Sequence, residues 1–134
     1  MAGFIAIVED EPELQALYRL MLAAKGYDVA YVSASANDAV DRYARCEKKP
    51  DLVIMDRRLD GSSGMDAARR ILDMHPGARI LFATAEADGD IPRGRPGIVG
   101  ALQKPFSMEA MFLSIESALA DGGGNLLRKA SSYT

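Results

Sequence analysis

The sequence has no tryptophan, one cysteine and one histidine, and each shortage closes off a class of function. Cys46 alone cannot form an internal disulfide, which fits a reducing compartment. Cys46 and His75 together are too few for a Cys/His zinc site. Basic charge is also short: 16 Lys and Arg stand against 19 Asp and Glu, for a formal charge of −3. Non-specific nucleic-acid binding needs clustered Lys and Arg to displace counterions, so a net acidic domain is a poor candidate for it. No apolar run approaches the roughly 20 residues of a membrane span. Near the N-terminus, Phe4 to Val8 is soon closed by Glu9-Asp10-Glu11, which does not read as a signal peptide. The expectation is a cytoplasmic protein with neither nucleic acid nor membrane among its partners. The glycines form neither a GxGxxG nor a Walker-type phosphate loop, which argues against nucleotide binding.

With 134 residues and 49% apolar content, the chain suits one domain with a single core. Short apolar runs alternate with longer amphipathic ones. Phe4-Ile5-Ala6-Ile7-Val8 reads as a buried strand, and Pro12 sits where the first turn of a helix tolerates it. Leu14, Leu17, Tyr18, Met21 and Leu22 recur at helical spacing until Gly26. Val29 to Val32 gives a second strand. Ser35 is a candidate N-cap, followed by Ala39, Val40 and Tyr43 on one face. Leu52-Val53-Ile54-Met55 is apolar without a break, as in a strand buried on both faces of a parallel sheet.

Asp56 follows that run directly. A loop with Gly61 and Gly64 then leads to a helix carrying Met65, Ala68, Ile71 and Leu72, broken at Pro76-Gly77. His75, at that helix end, reads as a partner of the helix dipole. Ile80 to Ala83 and Ile98 to Leu102 are the fourth and fifth strands. Ser107 caps a last helix with Met108, Met111, Phe112, Ile115 and Leu119 inward.

This βα alternation predicts an α/β fold with a doubly wound, five-stranded parallel sheet, and the order expected is the flavodoxin-like 2-1-3-4-5, one of the two common doubly wound solutions. Asp88-Gly89, Pro92, Gly94, Pro96 and Gly97 interrupt the crossover before the fifth strand, so the fourth helix is expected to be degenerate. Residues 1–121 are expected to form the domain and 122–134 a flexible tail.

Ligands in such sheets lie beyond the carboxyl ends of the strands. The residues there are Glu9, Asp10 and Glu11, then Asp56, Thr84 and Lys104. Converging carboxylates are stable only if a hard cation or protons offset their charge. An all-oxygen donor set completed by water is Mg²⁺ or Mn²⁺ chemistry. A cation, a lysine and a hydroxyl are what a transferring phosphoryl group needs around its oxygens, and a central carboxylate can accept it.

Taken in order, Glu9-Asp10, Asp56, Leu59, Gly61, Gly64, Thr84 and Lys104-Pro105-Phe106 resemble the receiver domain of two-component response regulators, over about residues 3 to 121. The resemblance implies that Asp56 accepts a phosphoryl group from a histidine kinase, a phosphotransfer protein or a small donor. It implies Mg²⁺ on Glu9, Asp10, Asp56 and the Arg58 backbone carbonyl. Thr84 and Lys104 would bind phosphoryl oxygens, and the Lys104-Pro105 bond would be cis. Output would be protein–protein contact with a partner the sequence does not name, and a weak homodimer is among the arrangements it allows. Such a domain would not be an enzyme beyond Mg-dependent self-phosphorylation and slow autodephosphorylation.

Two departures stand out. The aromatic residue usual three positions before the lysine is Ala101 here, and the fourth helix is broken. Arg58 and Glu86, two residues after Asp56 and Thr84, carry opposite charges at facing positions and are expected to pair across the site. The alternatives are a pseudo-receiver or phosphate sink, and an Asp-nucleophile phosphohydrolase of the haloacid-dehalogenase type. Arg58 argues against the hydrolase, because it stands where those enzymes carry a second Asp.

Overall fold

The computed structural model describes residues 3–59, 61–85 and 95–121. In chain order the elements are β1 (Phe4–Val8), α1 (Pro12–Ala24), β2 (Asp28–Ser33), α2 (Ala36–Arg45), β3 (Leu52–Asp56), β4 (Arg58–Leu59), β5 (Ser62–Ser63), α3 (Gly64–Met74), β6 (Ile80–Thr84), β7 (Ile98–Gln103) and α4 (Met108–Asp121). The main sheet has five parallel strands in the order β2-β1-β3-β6-β7. With the small β4–β5 hairpin set aside, that is the expected flavodoxin-like order. The broken crossover at 86–94 and the tail at 122–134 lie outside the described residues.

The apolar strands sort their side chains by the two-residue repeat of the sheet. Ala6, Val8, Val53, Met55 and Phe82 face one cluster, completed by Ala39, Val40 and Tyr43 of α2 and by Ala68, Ile71 and Leu72 of α3. Ile5, Ile7, Leu52, Ile54 and Leu81 face the other, with Tyr18, Met21 and Leu22 of α1 and Met111, Ile115 and Ala118 of α4. Two of the three interior strands, β3 and β6, are buried along their whole length. That explains their unbroken apolar runs.

The helix ends follow the sequence signals. Pro12 opens α1. Ser35 accepts the Asp38 backbone N–H at 3.2 Å, Ser63 accepts that of Asp66 at 3.2 Å, and Ser107 accepts that of Ala110 at 3.0 Å. Gly26 closes the α1 connection at φ +81°, a conformation that favours glycine.

Helical spacing misplaces two side chains. Met108 is 55% exposed and Leu17 45% exposed, although each lies at helical spacing from buried residues. Periodicity fixes which face of a helix turns inward but not how far along that face the core extends. His75 caps α3, but its ring nitrogen Nδ1 meets the Tyr43 hydroxyl at 3.1 Å and so ties α3 to α2.

Candidate functional site

The site lies where β1, β3, β6 and β7 end. Glu9 follows β1, and its backbone N–H donates to the Ser33 carbonyl at 2.8 Å. Its side chain is 1% exposed. Oε2 accepts the Glu11 backbone N–H at 3.1 Å, and Oε1 accepts Lys104 Nζ at 3.0 Å. Asp56 ends β3 and is 8% exposed. Its Oδ1 accepts the Arg58 backbone N–H at 3.1 Å, while Oδ2 accepts Lys104 Nζ at 3.1 Å. Lys104 thus bridges the two buried carboxylates. It is set in place by its own N–H, which donates to the Thr84 carbonyl at 2.7 Å. The Lys104–Pro105 bond is cis, as expected. Thr84 ends β6 and is buried.

One carboxylate oxygen each from Glu9, Asp10 and Asp56 lies within 4.8 Å of the others. Asp10 and Arg58, with Ala34 and Leu59, line an open cleft of about 500 Å³ beside this cluster. The β4–β5 hairpin folds back after Asp56 and brings Arg58 opposite Ser63. Gly64 is required at the hairpin's exit, because a Cβ there would collide with the Asp56 carbonyl oxygen.

The electrostatics follow from burial and proximity. Burial raises the Glu9 carboxyl; hydrogen bonds from Lys104 and the Glu11 N–H pull it back, and the Asp56 charge raises it again, leaving it at about 7. Burial alone would lower Lys104. The hydrogen bonds to Glu9 and Asp56, and their charges, outweigh it and hold the ammonium above its ordinary value. Two buried carboxylates therefore share one committed cation.

The structure brings Glu9, Asp10, Asp56 and Lys104 together, with Thr84 and Arg58 joined to them through the backbone. Glu86, expected opposite Arg58, is outside the described residues. Arg57 is half-buried, whereas Arg58 is exposed. Sequence reasoning missed Gln15, whose Nε2 donates to the Glu9 carbonyl at 2.5 Å. It also missed Ser62, whose Oγ accepts the Ala36 N–H at 3.1 Å and ties the hairpin to the start of α2. The first spans six residues and the second 26, and neither has a spacing signature.

Fold and site together define a class. Residues 5–116 match the response regulator receiver domain, and the chain belongs to that family, the receiver domains of two-component systems. Among similar proteins, the regulatory protein LuxO of Vibrio vulnificus is 31% identical over 115 residues, covering 84% of this chain and 25% of LuxO. The transcriptional regulatory protein GlrR of Escherichia coli is 33% identical over 119 residues, covering 86% of this chain and 26% of GlrR. The chain thus spans about a quarter of the length of these curated relatives. Among solved structures, the PhyR receiver domain of Erythrobacter litoralis is 31% identical with a TM-score of 0.75, covering 88% of this chain and 90% of that one. The receiver domain of a Pseudomonas aeruginosa sensor histidine kinase, solved with a magnesium ion in its active-site cleft, is 28% identical. Its TM-score is 0.77, over 90% of this chain and 99% of that one.

Proposed function

We propose that Asp56 is the phosphoryl acceptor of this receiver domain, and that a sensor histidine kinase or phosphotransfer protein is its donor. One observation carries the reading: Lys104 bridges Asp56 and Glu9 inside a cluster of three carboxylates at the strand ends. An Asp56 oxygen attacks the donor phosphorus, the phosphorus–nitrogen bond of phosphohistidine breaks, and the freed imidazole takes up a proton. Lys104 supplies positive charge to the phosphoryl oxygens, and the Thr84 hydroxyl would hydrogen-bond another.

The donor set fits Mg²⁺. Glu9, Asp10, Asp56 and the Arg58 carbonyl would hold it, and when bound it neutralises charge on the transferring group. The structure of the Pseudomonas aeruginosa kinase receiver supports this choice of ion.

The chemistry is self-phosphorylation with slow hydrolysis, and the output is contact with another protein. No helix among the described residues is long and apolar enough to cross a membrane. With the single cysteine, that supports action in the cytoplasm.

Intact mass after incubation with Mg²⁺ and a small phosphodonor tests the acceptor. The expected result is one phosphate adduct, lost in Asp56→Asn and kept in Asp60→Asn. No adduct from any donor or kinase would replace this reading with a pseudo-receiver.

A further inference from the structure

Tyr18 lies on the inner face of α1 and is 1% exposed. Its ring packs on that of Phe106, with centroids 5.9 Å apart. It shares its core cluster with Ile7, Ile54, Ala83 and Leu102. Those four stand one or two residues before Glu9, Asp56, Thr84 and Lys104, and Phe106 stands two residues after Lys104, so Tyr18 is joined to the end of the core that carries the site.

The Tyr18 hydroxyl is buried and has no hydrogen-bond partner among the described residues. An unpaired buried hydroxyl costs on the order of 1–3 kcal/mol, whereas phenylalanine would keep the ring without that cost. Burial first, then the charges of Glu9 and Asp56, hold the phenol above its ordinary value. The phenol therefore keeps a proton to donate.

Lys104 is already committed to Glu9 and Asp56. A phosphoryl group on Asp56 brings new oxygens that need the same ammonium. When Lys104 turns to them, the Glu9 oxygen it had bonded loses its donor, even with Mg²⁺ beside the carboxylate. We propose that Tyr18 is a positioning residue for the phosphorylated state: its hydroxyl becomes the hydrogen-bond donor to Glu9 that replaces Lys104. This inference rests on the phospho-acceptor reading of Asp56.

The test uses the full chain, Mg²⁺ and fluoroberyllate, a stable mimic of the phosphoryl group. In Tyr18→Phe the metal-free protein should be at least as stable as wild type, while fluoroberyllate binding weakens about fivefold to tenfold. In wild type, the tyrosine ζ-carbon resonance assigned to Tyr18 through its contact with Phe106 should shift on loading. That signal is read without any variant. If Tyr18→Phe binds fluoroberyllate as wild type does and the ζ-carbon does not move, the inference is overturned and Asp56 stands. If Tyr18→Phe loses stability equally in both states with unchanged affinity, Tyr18 is a core residue only, and the inference is likewise overturned. If wild type takes up neither fluoroberyllate nor phosphate, both readings fall.

Discussion

Glu9 holds its proton to about pH 7 in the folded, metal-free domain, against an ordinary value of 4.5. Between those values the folded state binds more protons than the unfolded chain. The Glu9 contribution to stability is therefore fully present below about pH 4.5 and is lost as pH rises through about 7. In chelator-containing buffer, wild type should lose unfolding free energy relative to Glu9→Gln across that window, on the order of 2 kcal/mol. Urea denaturation at a series of pH values reads this directly; parallel curves would contradict the assignment. Lys104 has a double effect. Its ammonium neutralises Glu9 and Asp56, and it occupies one oxygen of each of these carboxylates, which would also hold a divalent cation. Lys104→Met should destabilise the metal-free protein by about 2–3 kcal/mol, because it leaves buried carboxylates uncompensated. The same change should tighten Mg²⁺ binding measured by calorimetry, since the competing cation is gone. Weaker Mg²⁺ binding would show that Lys104 organises the acids more than it competes for them.

Among the elements, the loop from β3 to α3 carries the most constraint. It places Asp56, turns through the β4–β5 hairpin and enters α3 at Gly64, whose backbone lies against Asp56. Gly64→Ala should cost about 3 kcal/mol or more, because backbone has to move and not just a side chain. It should also slow phosphodonor uptake by shifting the Asp56 carboxylate. Ser35→Ala is the control. It removes one cap bond at the start of α2 and should cost only about 1 kcal/mol. Thermal melts and donor-uptake rates on both variants separate the two effects. Equal losses of stability in the pair would mean that Gly64 is tolerated more easily than its packing indicates. Gly97 is held in a similar way, at φ +97° with Leu72 and the Ala78 carbonyl against its missing side chain. The turn into β7 therefore also depends on a glycine.

For the molecule as a whole, one sheet separates two apolar layers, each closed by its own pair of helices. The strands are common to both, so loss of either layer should unfold the domain as a unit. Ile71→Ala in one layer and Ile115→Ala in the other should each lower stability by about 2–5 kcal/mol. Each should keep a single denaturation transition of unchanged steepness. Met74, 42% exposed at the end of α3, should tolerate alanine within about 0.5 kcal/mol. Two separate transitions in either isoleucine variant would mean that the layers fold independently.

The strand runs, helix caps and strand-end residues were legible in the sequence because they are local signals. An unbroken apolar run needs burial on both faces, a serine before a helix satisfies orphan N–H groups, and Asp56 stands out because it ends such a run. The doubly wound parallel sheet followed from the βα alternation and the handedness of crossovers. Tertiary structure alone decided the rest. Lys104 meets Glu9 across 95 residues of chain and Asp56 across 48, and no spacing rule encodes either contact. It alone showed that Met108 and Leu17 face solvent, that His75 joins Tyr43, and that Gln15 and Ser62 brace the loops around the site. The Tyr18 side chain reads in the sequence as one more apolar helix position. Only packing shows that its hydroxyl is buried, with no partner among the described residues. The physical reason is the same in each case: local chemistry sets what an element is, while the partners of a side chain depend on which elements the sheet brings side by side.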